Sequence, residues 1–260
     1  MQPVVELADV SVVRGGATLL SDITWQIAEG ERWVIIGPNG AGKTTLLQLL
    51  SANMHPTTGF VQLLGEYLGA VDVFELRPRI GVTSAALADR IPRGEAVGNV
   101  VVSAAYGVVG RWNERYDATD LRRAATLMQQ FNIAHLGKRT FGTLSEGERK
   151  RVQIARALMT DPELLLMDEP AAGLDLAGRE RLVRTLGQVA GDPDAPAMVL
   201  VTHHLEEIPP GMTHALLLAD GHVTASGPIA DVITAEHLST TFGLELDVTE
   251  SDGRWSARAR

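Results

Sequence analysis

The 260-residue sequence contains no cysteine, and no apolar segment approaches the ~20 residues that a membrane-spanning helix requires. The first absence excludes disulfides and thiolate metal sites. The second predicts that any contact with a membrane comes through a partner. The first ten residues, MQPVVELADV, lack a basic region followed by an apolar stretch. We therefore expect no secretory signal and a cytoplasmic protein.

Positive charge is also scarce: 23 Lys and Arg residues stand against 32 Asp and Glu residues, and the net charge is −9. This balance argues against a protein that binds nucleic acid over its whole surface, and it leaves open a local basic groove. Apolar residues make up 45% and charged residues 21%, which is ordinary for a soluble globular protein. The length suffices for one large or two small domains with a real core.

A glycine-rich segment, GPNGAGKTT, lies between a predicted strand and a predicted helix. Arg32–Ile36 has the β-branched character of a buried strand, and residues 46–51 have the spacing of a helix with one apolar face. This is the context that the pattern G-x-x-x-x-G-K-[ST] requires. Its glycines let successive N–H groups point toward an anion, and the helix start adds its positive dipole end. The segment consists of Gly37, Pro38, Asn39, Gly40, Ala41, Gly42, Lys43, Thr44 and Thr45.

Lys43 and Thr44 would carry the chemistry of this loop. We expect Lys43 to reach the β- and γ-phosphates of a nucleotide, and the Thr44 hydroxyl to hold a Mg²⁺ that bridges them. The alternative is a glycine-rich loop that only turns the chain, and the flanking strand and helix disfavour it. The segment therefore predicts a nucleotide site.

A second apolar run ends in two carboxylates, Asp168 and Glu169. A buried strand would deliver them to the carboxyl edge of the sheet, where ligands of open α/β folds collect. We expect Asp168 to enter the Mg²⁺ shell, and Glu169 to orient and deprotonate the attacking water. The alternative is an acidic turn that holds a helix cap. The presence of the phosphate loop favours the catalytic interpretation.

The segment LSEGE, residues 144–148, has two interpretations. Ser145 and Glu148 fit a capping box at the start of the following helix, and taken alone the segment favours that interpretation. Taken together with the phosphate loop and the carboxylate pair, a functional role is favoured. Ser145 and the amide of Gly147 at a helix start are donors suited to a γ-phosphate, but within one chain they can only point outward.

The order GPNGAGKT, LSEGE, LLLMDEP, AGLD, THH resembles the ATPase domain of ABC proteins, and LSEGE is similar to that family's signature motif. The resemblance extends from the first strand to about Phe242. It implies an α/β fold of the ABC type of P-loop NTPase, with a mixed sheet core, an N-terminal antiparallel β subdomain and a helical subdomain insertion. We expect a single ATPase domain over 1–260, with 1–84 and 145–260 as the core and 85–144 as the helical subdomain.

Local patterns add expectations for individual elements. Two antiparallel strands are expected before the phosphate loop, over residues 4–13 and 19–27, and Asp117 and Thr119 are candidate caps for a helix over residues 118–131. Asp220-Gly221 predicts a hairpin turn, a short helix is expected near Asp231 to Phe242, and a weak hairpin is expected around residues 251–253.

The family resemblance also implies a head-to-tail homodimer that sandwiches two ATP molecules between phosphate loops and signature helices. Asp175 matches the loop that crosses the dimer interface, although it could also simply cap the next helix. His203 matches the switch histidine that hydrogen-bonds the γ-phosphate, whereas we interpret His204 as incidental.

Two positions depart from the family pattern, and a third is unusual. Arg14 stands where an aromatic ring often stacks on adenine; a guanidinium can also stack on a base, so adenine contact is kept as a hypothesis. Ala85 stands where a glutamine usually contacts Mg²⁺ and senses the permease, which weakens the predicted coupling. Glu148 replaces a commoner glutamine, and its carboxylate either faces the nucleotide or turns back to its own helix.

The function predicted from these features is Mg²⁺-dependent hydrolysis of ATP that powers a membrane transporter. The variant signature and the short C-terminal tail look most like bacterial importers of iron chelates, cobalamin or oxyanions. The chain would then sit at the inner face of the cell membrane on integral permease subunits. The competing class is a soluble ABC ATPase without a permease, acting on a nucleic-acid, ribosomal or assembly complex; the missing glutamine favours it, and the lack of a basic tract opposes it. A P-loop kinase or GTPase is disfavoured by Glu169 and the signature segment.

Overall fold

The computed structural model describes residues 3–110 and 114–260. Its strands, in chain order, are β1 (Val5–Arg14), β2 (Ala17–Ile27), β3 (Arg32–Ile36), β4 (Thr58–Leu63), β5 (Glu66–Tyr67), β6 (Ile80–Thr83), β7 (Leu164–Asp168), β8 (Ala197–Thr202), β9 (His214–Ala219), β10 (His222–Pro228), β11 (Leu246–Ser251) and β12 (Arg254–Ala259). Its α-helices are α1 (Lys43–Leu50), α2 (Val73–Leu76), α3 (Ala85–Asp89), α4 (Val97–Val102), α5 (Ala118–Gln130), α6 (Glu146–Ala157), α7 (Leu176–Ala190), α8 (Ile229–Val232) and α9 (Ala235–Phe242). Short 3₁₀ turns lie at Arg77–Arg79, Ser103–Tyr106, Ala134–Leu136, Phe141–Thr143 and Leu205–Glu207.

The central sheet has the order β10-β9-β3-β8-β7-β6, with β10 antiparallel to β9 and the other pairs parallel. Strands β3, β7 and β8 are apolar runs because both faces of a parallel sheet are covered. Their residues alternate between two cores: Trp33 and Ile35 face one cluster, and Val34 and Ile36 face the other. The carboxyl ends of β3, β7 and β8 therefore meet at one edge of the sheet.

An antiparallel sheet of order β2-β1-β4-β5 covers one face of the central sheet together with α1. The two antiparallel strands predicted before the phosphate loop are thus confirmed. The mixed sheet and the added antiparallel sheet are the predicted fold class.

The opposite face carries the helices. Residues from α4 and α5 pack with α6 and with Phe131, which is 1% exposed. The side chain of Arg123 on α5 donates hydrogen bonds to the carbonyls of Leu158 and Met159 at the end of α6. Asp117 caps α5 as predicted, in a capping box with Asp120. The division at residues 84/85 and 144/145 stays a prediction.

The structure differs from the sequence-based expectations near the C-terminus. The short helix expected near Asp231 to Phe242 is present as α9 but begins later, at Ala235, because the Thr234 side chain accepts a hydrogen bond from the His237 amide and caps it; residues 229–232 form the separate helix α8. The hairpin predicted at Asp220 and Gly221 is confirmed, and both residues have positive φ (48° and 77°) as a type I′ turn requires. Strand β5 and helix α3 were not foreseen.

The predicted terminal hairpin is also confirmed as β11 and β12, and its Trp255 packs against the helical face of the core. Within residues 3–110 and 114–260, none of the helices combines the length and the apolar character that crossing a bilayer demands.

Candidate functional site

The glycine-rich loop joins β3 to α1 and packs so closely that side chains are excluded at two glycines. A Cβ at Gly37 would lie 2.0 Å from the backbone oxygen of Leu218 on β9. A Cβ at Gly42, whose φ is +102°, would lie 2.8 Å from the backbone oxygen of Leu19. The loop therefore has to be glycine-rich to lie between β2 and β9, and its last glycine, Gly42, is the N-cap residue of α1.

This loop lines a cavity of about 520 Å³. The lining residues are Thr18, Leu19, Asn39, Gly40, Ala41, Gly42, Lys43, Thr44, Thr45, Glu169, Asp220 and Gly221. The cavity thus brings most of the predicted loop residues together with Glu169, which lies more than 120 positions further along the sequence.

Lys43 is 6% exposed, and its ammonium donates to the carbonyls of Gly37 (2.7 Å) and Pro38 (2.9 Å). Burial lowers the pKa of Lys43, while the negative charges of Glu169 and Asp168 oppose that shift. The ammonium is therefore held inside the loop by weak acceptors, which incoming phosphate oxygens can replace with stronger, charge-assisted hydrogen bonds.

Asp168 and Glu169 end β7, and their environments differ. Burial raises the pKa of Asp168, and the neighbouring charge of Glu169 raises it further, whereas Lys43 and Lys150 oppose the rise. Glu169 has a φ of +45°, a left-handed conformation that its amide maintains by donating to the carbonyl of Val201 (2.9 Å). Backbone in this conformation is uncommon for a non-glycine residue and is often found at functional sites.

The oxygen donors near the phosphate loop suit Mg²⁺ better than they suit a metal ion whose ligands all come from the protein. Among residues 3–110 and 114–260, no group of three or more His, Asp and Glu side chains is arranged to hold a metal ion. Mg²⁺ is usually bound through one or two carboxylates together with substrate phosphates and water. The Thr44 hydroxyl lines the phosphate-loop cavity, whereas Asp168 ends β7 next to Glu169 and does not belong to the cavity lining; both are oxygen donors of the kind that this mode uses.

His203 follows β8, and its Nδ1 lies 3.0 Å from Oε1 of Glu169. Because β8 pairs with both β3 and β7, the histidine reaches the carboxylate from a strand that is 34 residues away in the sequence. His203 and His204 have ring centroids 4.1 Å apart, and His204 is exposed. The structure thus places the His203 ring within hydrogen-bond distance of the Glu169 carboxylate.

Ser145 and Glu148 form the capping box at the start of α6. The Ser145 amide donates to the Glu148 carboxylate (2.8 Å), and the Glu148 amide donates to the Ser145 hydroxyl. Burial acts to raise the pKa of Glu148, but the Ser145 hydrogen bonds and the charges of Arg139 and Arg151 bring it below its usual value. The carboxylate is therefore turned back to its own helix, which is one of the two expected orientations.

Ser145, Gly147 and Glu148 line a second cavity, of about 390 Å³, together with Asp175. Asp175 caps α7 by accepting a hydrogen bond from the Gly178 amide (2.6 Å). The residues that line this second cavity and those that line the phosphate-loop cavity do not overlap. Within one chain, the phosphate loop and the LSEGE segment thus line two separate cavities.

Arg14 is exposed, and it does not belong to the lining of the phosphate-loop cavity. Its guanidinium donates to the carbonyls of Val13 (3.0 Å) and His55 (2.9 Å). These contacts fix the β1–β2 turn to the segment before β4. The adenine contact of Arg14 stays a prediction.

The turn of the β9–β10 hairpin lines the phosphate-loop cavity, although its sequence predicts only a turn. The Gly221 amide donates to the Ala41 carbonyl (3.1 Å), and the Gly221 carbonyl accepts from the Ser21 amide (2.9 Å). Asp220-Gly221 was recognised only as a turn, and no local signal connects it to the phosphate loop. Likewise, Ser84 caps α3 by accepting from the Leu87 amide, so Ala85 begins a helix at the position where a glutamine was expected.

The geometry at this sheet edge defines the class of protein, a P-loop NTPase. The family model described as ABC transporter matches residues 20–172. The uncharacterized ABC transporter ATP-binding protein YlmA of Bacillus subtilis is 40% identical over 252 residues, which cover 96% of this chain and 95% of YlmA. The hemin import ATP-binding protein HmuV of Rhodococcus jostii is 34% identical, covering 93% of this chain and 80% of HmuV.

A solved structure of cbiO1 from Clostridium perfringens, part of the ABC transporter complex cbiONQ, has the same fold with a TM-score of 0.77 at 23% identity. The match covers 92% of this chain and 94% of cbiO1. The chain belongs to the ABC transporter family, and it is an ATP-binding ATPase of that family. This confirms the resemblance seen in the sequence motifs.

Proposed function

We propose that this chain is the ATP-hydrolysing subunit of a membrane importer and works as a homodimer that closes on two Mg²⁺–ATP. The dimer proposal rests on the separation of two cavities. The phosphate loop lines one of them, the signature turn (residues 145–148) lines the other, and the two linings have no residue in common. A nucleotide on the phosphate loop therefore lacks the donors of Ser145 and Gly147 unless a second copy supplies them. A head-to-tail pair places each signature turn opposite the other copy's phosphate loop.

Within each composite site, the residues of this chain have different roles in binding and hydrolysis. The loop amides and Lys43 bind the phosphates, and Thr44 and Asp168 would hold the Mg²⁺, which neutralises charge on the β- and γ-phosphates. Glu169 accepts a proton from the attacking water, and His203 orients Glu169 and donates toward the γ-phosphate. Asp175 lies at the edge of the cavity that would meet the partner copy.

The proposal of a permease partner is supported by a groove between the core and the helical segment (residues 85–144). The groove has a volume of about 460 Å³, and the aromatic side chains of Phe74 (75% exposed) and Tyr106 (53% exposed) lie along it. Its described lining residues include Arg77, Arg90 and Arg156 and no carboxylate, although the chain as a whole carries a net charge of −9. In this proposal the groove binds a helix at the cytoplasmic side of the permease, and that helix carries apolar and acidic side chains.

The substrate class rests on the relatives. The HmuV relative is named as a hemin import protein, which supports an importer of a metal chelate over an exporter. Of the importers suggested by the sequence, those of iron chelates and cobalamin belong to this class, whereas those of oxyanions do not. The chain would then work at the inner face of the cell membrane, held there by its permease.

Affinity purification of the tagged full-length chain from its native membranes tests this proposal. We expect a polytopic membrane protein to co-purify in detergent, and the double substitution Arg77→Glu and Arg90→Glu to release it without changing the basal ATPase activity. Recovery of ribosomes or DNA with no membrane protein would support the competing soluble class and contradict the transporter role.

Arg14→Ala tests the adenine contact separately. A guanidinium that stacks on an exposed base contributes on the order of 0.5–1 kcal/mol, so we expect ATP affinity to fall by about two- to fivefold. Equilibrium titration with a fluorescent ATP analogue measures this effect, with Arg93→Ala as an exposed control. An unchanged affinity would show that Arg14 serves only to hold the loop at His55.

A further inference from the structure

The C-terminal hairpin of β11 and β12 reaches the segment that carries His203. Its Leu246 and Ala257 line a cavity of about 210 Å³ together with His203, His204 and Leu205. Trp255 and Val248 pack on the core, and the Leu246 amide donates to the Ser239 hydroxyl (3.0 Å). These contacts hold the hairpin against the core and against α9. One wall of the space beside the switch histidine is thus made by the last strands of the chain.

Arg254 is the polar contact between this hairpin and the histidine segment. Its Nη1 and Nη2 donate to the two carboxylate oxygens of Glu180 on α7 (2.8 and 3.1 Å). Its Nη2 also donates to the carbonyl of Glu206 (2.8 Å), within the 3₁₀ turn Leu205–Glu207 that follows His203. A guanidinium holds such a forked arrangement with a fixed geometry, which a lysine cannot reproduce.

The other end of the same turn is held by Thr202. Its hydroxyl donates to Oε2 of Glu207 (2.5 Å) and accepts from the His204 amide (3.1 Å). His203 therefore lies in a short segment that is fixed to β8 on one side and to Arg254 on the other. Glu180, the second partner of Arg254, lies one turn after Asp175 begins α7 at the second cavity.

We propose that Arg254 is a positioning residue for ATP hydrolysis. It fixes the turn after His203 against α7, and it thereby keeps Nδ1 of His203 within hydrogen-bond distance of Glu169. The bridge also joins an element of the hydrolytic site to the helix whose first turn borders the signature cavity. This inference rests on the proposed role of His203, and it adds the C-terminal hairpin to the machinery.

Steady-state ATPase assays on the full chain test the proposal, with Arg260→Ala as the matched control. Arg260 lies at the end of the same hairpin, where its exposed guanidinium pairs with Asp247 (2.8 Å). Because misplacing a reacting group lowers the rate more than the binding, we expect Arg254→Ala to reduce kcat by about tenfold and to change KM for ATP by less than about twofold. Arg254→Lys should recover only part of kcat, and Arg260→Ala should keep the parent value.

A spectroscopic measurement separates positioning from stability. In protein labelled with ¹³C at histidine Cε1, the His203 signal, assigned by its loss in His203→Ala, should shift or broaden in Arg254→Ala and stay unchanged in Arg260→Ala. If Arg254→Ala does not fold, Arg254→Lys and Glu180→Gln take its place, and each should lower kcat and perturb the His203 signal. Parent kcat in a folded Arg254 or Glu180 variant would overturn the inference, as would an equal loss of kcat in Arg260→Ala.

The His203→Ala variant distinguishes this inference from the proposed function. If His203→Ala hydrolyses ATP at the parent rate, the role of His203 in the proposed function fails. If His203→Ala is inactive while the Arg254 variants keep parent kcat, only the positioning role of Arg254 fails.

Discussion

Glu169→Gln is expected to lower the rate of ATP hydrolysis by at least about 100-fold while ATP binding persists, because an amide cannot accept the proton of the attacking water. Gln keeps the size of the side chain and a hydrogen-bond acceptor for His203, so the fold and the 3.0 Å contact should survive. Phosphate release measures the rate, and titration with a fluorescent ATP analogue measures the binding.

The same variant should reveal the dimer, because a site that binds but does not hydrolyse ATP remains closed. Light scattering or small-angle X-ray scattering with saturating Mg²⁺–ATP should show twice the mass of the nucleotide-free chain. Glu163→Gln is the matched control, since Glu163 pairs with Arg79 (2.6 Å) at the opposite end of the same strand and should keep the parent rate. Hydrolysis by Glu169→Gln at the parent rate would remove Glu169 from the catalytic role.

Lys43→Ala is expected to weaken ATP binding by about 100-fold, which corresponds to roughly 2.8 kcal/mol. The reason is that Lys43 brings a buried positive charge to the point where the β- and γ-phosphates carry their negative charge. Calorimetric titration with Mg²⁺–ATP measures the affinity, and thermal unfolding measures the stability.

The unfolding temperature of Lys43→Ala should lie close to that of the parent chain, whereas its ATP affinity should fall strongly. The ammonium that is removed is desolvated in the folded state, so its loss relieves a penalty while leaving the Gly37 and Pro38 carbonyls without a donor. Lys138→Ala serves as the control, because Lys138 is exposed in the segment before α6. Parent affinity in Lys43→Ala would contradict the phosphate-binding assignment.

The features that were correctly predicted from the sequence are local ones. The strand–loop–helix unit around Lys43, the cap of α5 at Asp117, the capping box at Ser145 and the turn at Asp220 each lie within one short stretch of the chain, and the longest of them extends from β3 to α1. Each depends on backbone geometry or hydrogen bonds between near neighbours, and these follow from residue type and spacing. The later start of the helix expected near Asp231 to Phe242 also has a local cause, because the Thr234 side chain caps α9 at Ala235.

Residue type and spacing were enough to predict the glycine-rich loop between a strand and a helix, the carboxylate pair after a buried strand, and the family to which these motifs belong. Which distant residues come into contact, in contrast, became visible only in the folded chain. The strand order β3-β8-β7 brings His203 to Glu169. The packing of the β11–β12 hairpin against the core brings Arg254 to Glu180 and Glu206. Contacts of this kind depend on which strands become neighbours and how helices pack on them, and no short-range pattern in one chain encodes that choice.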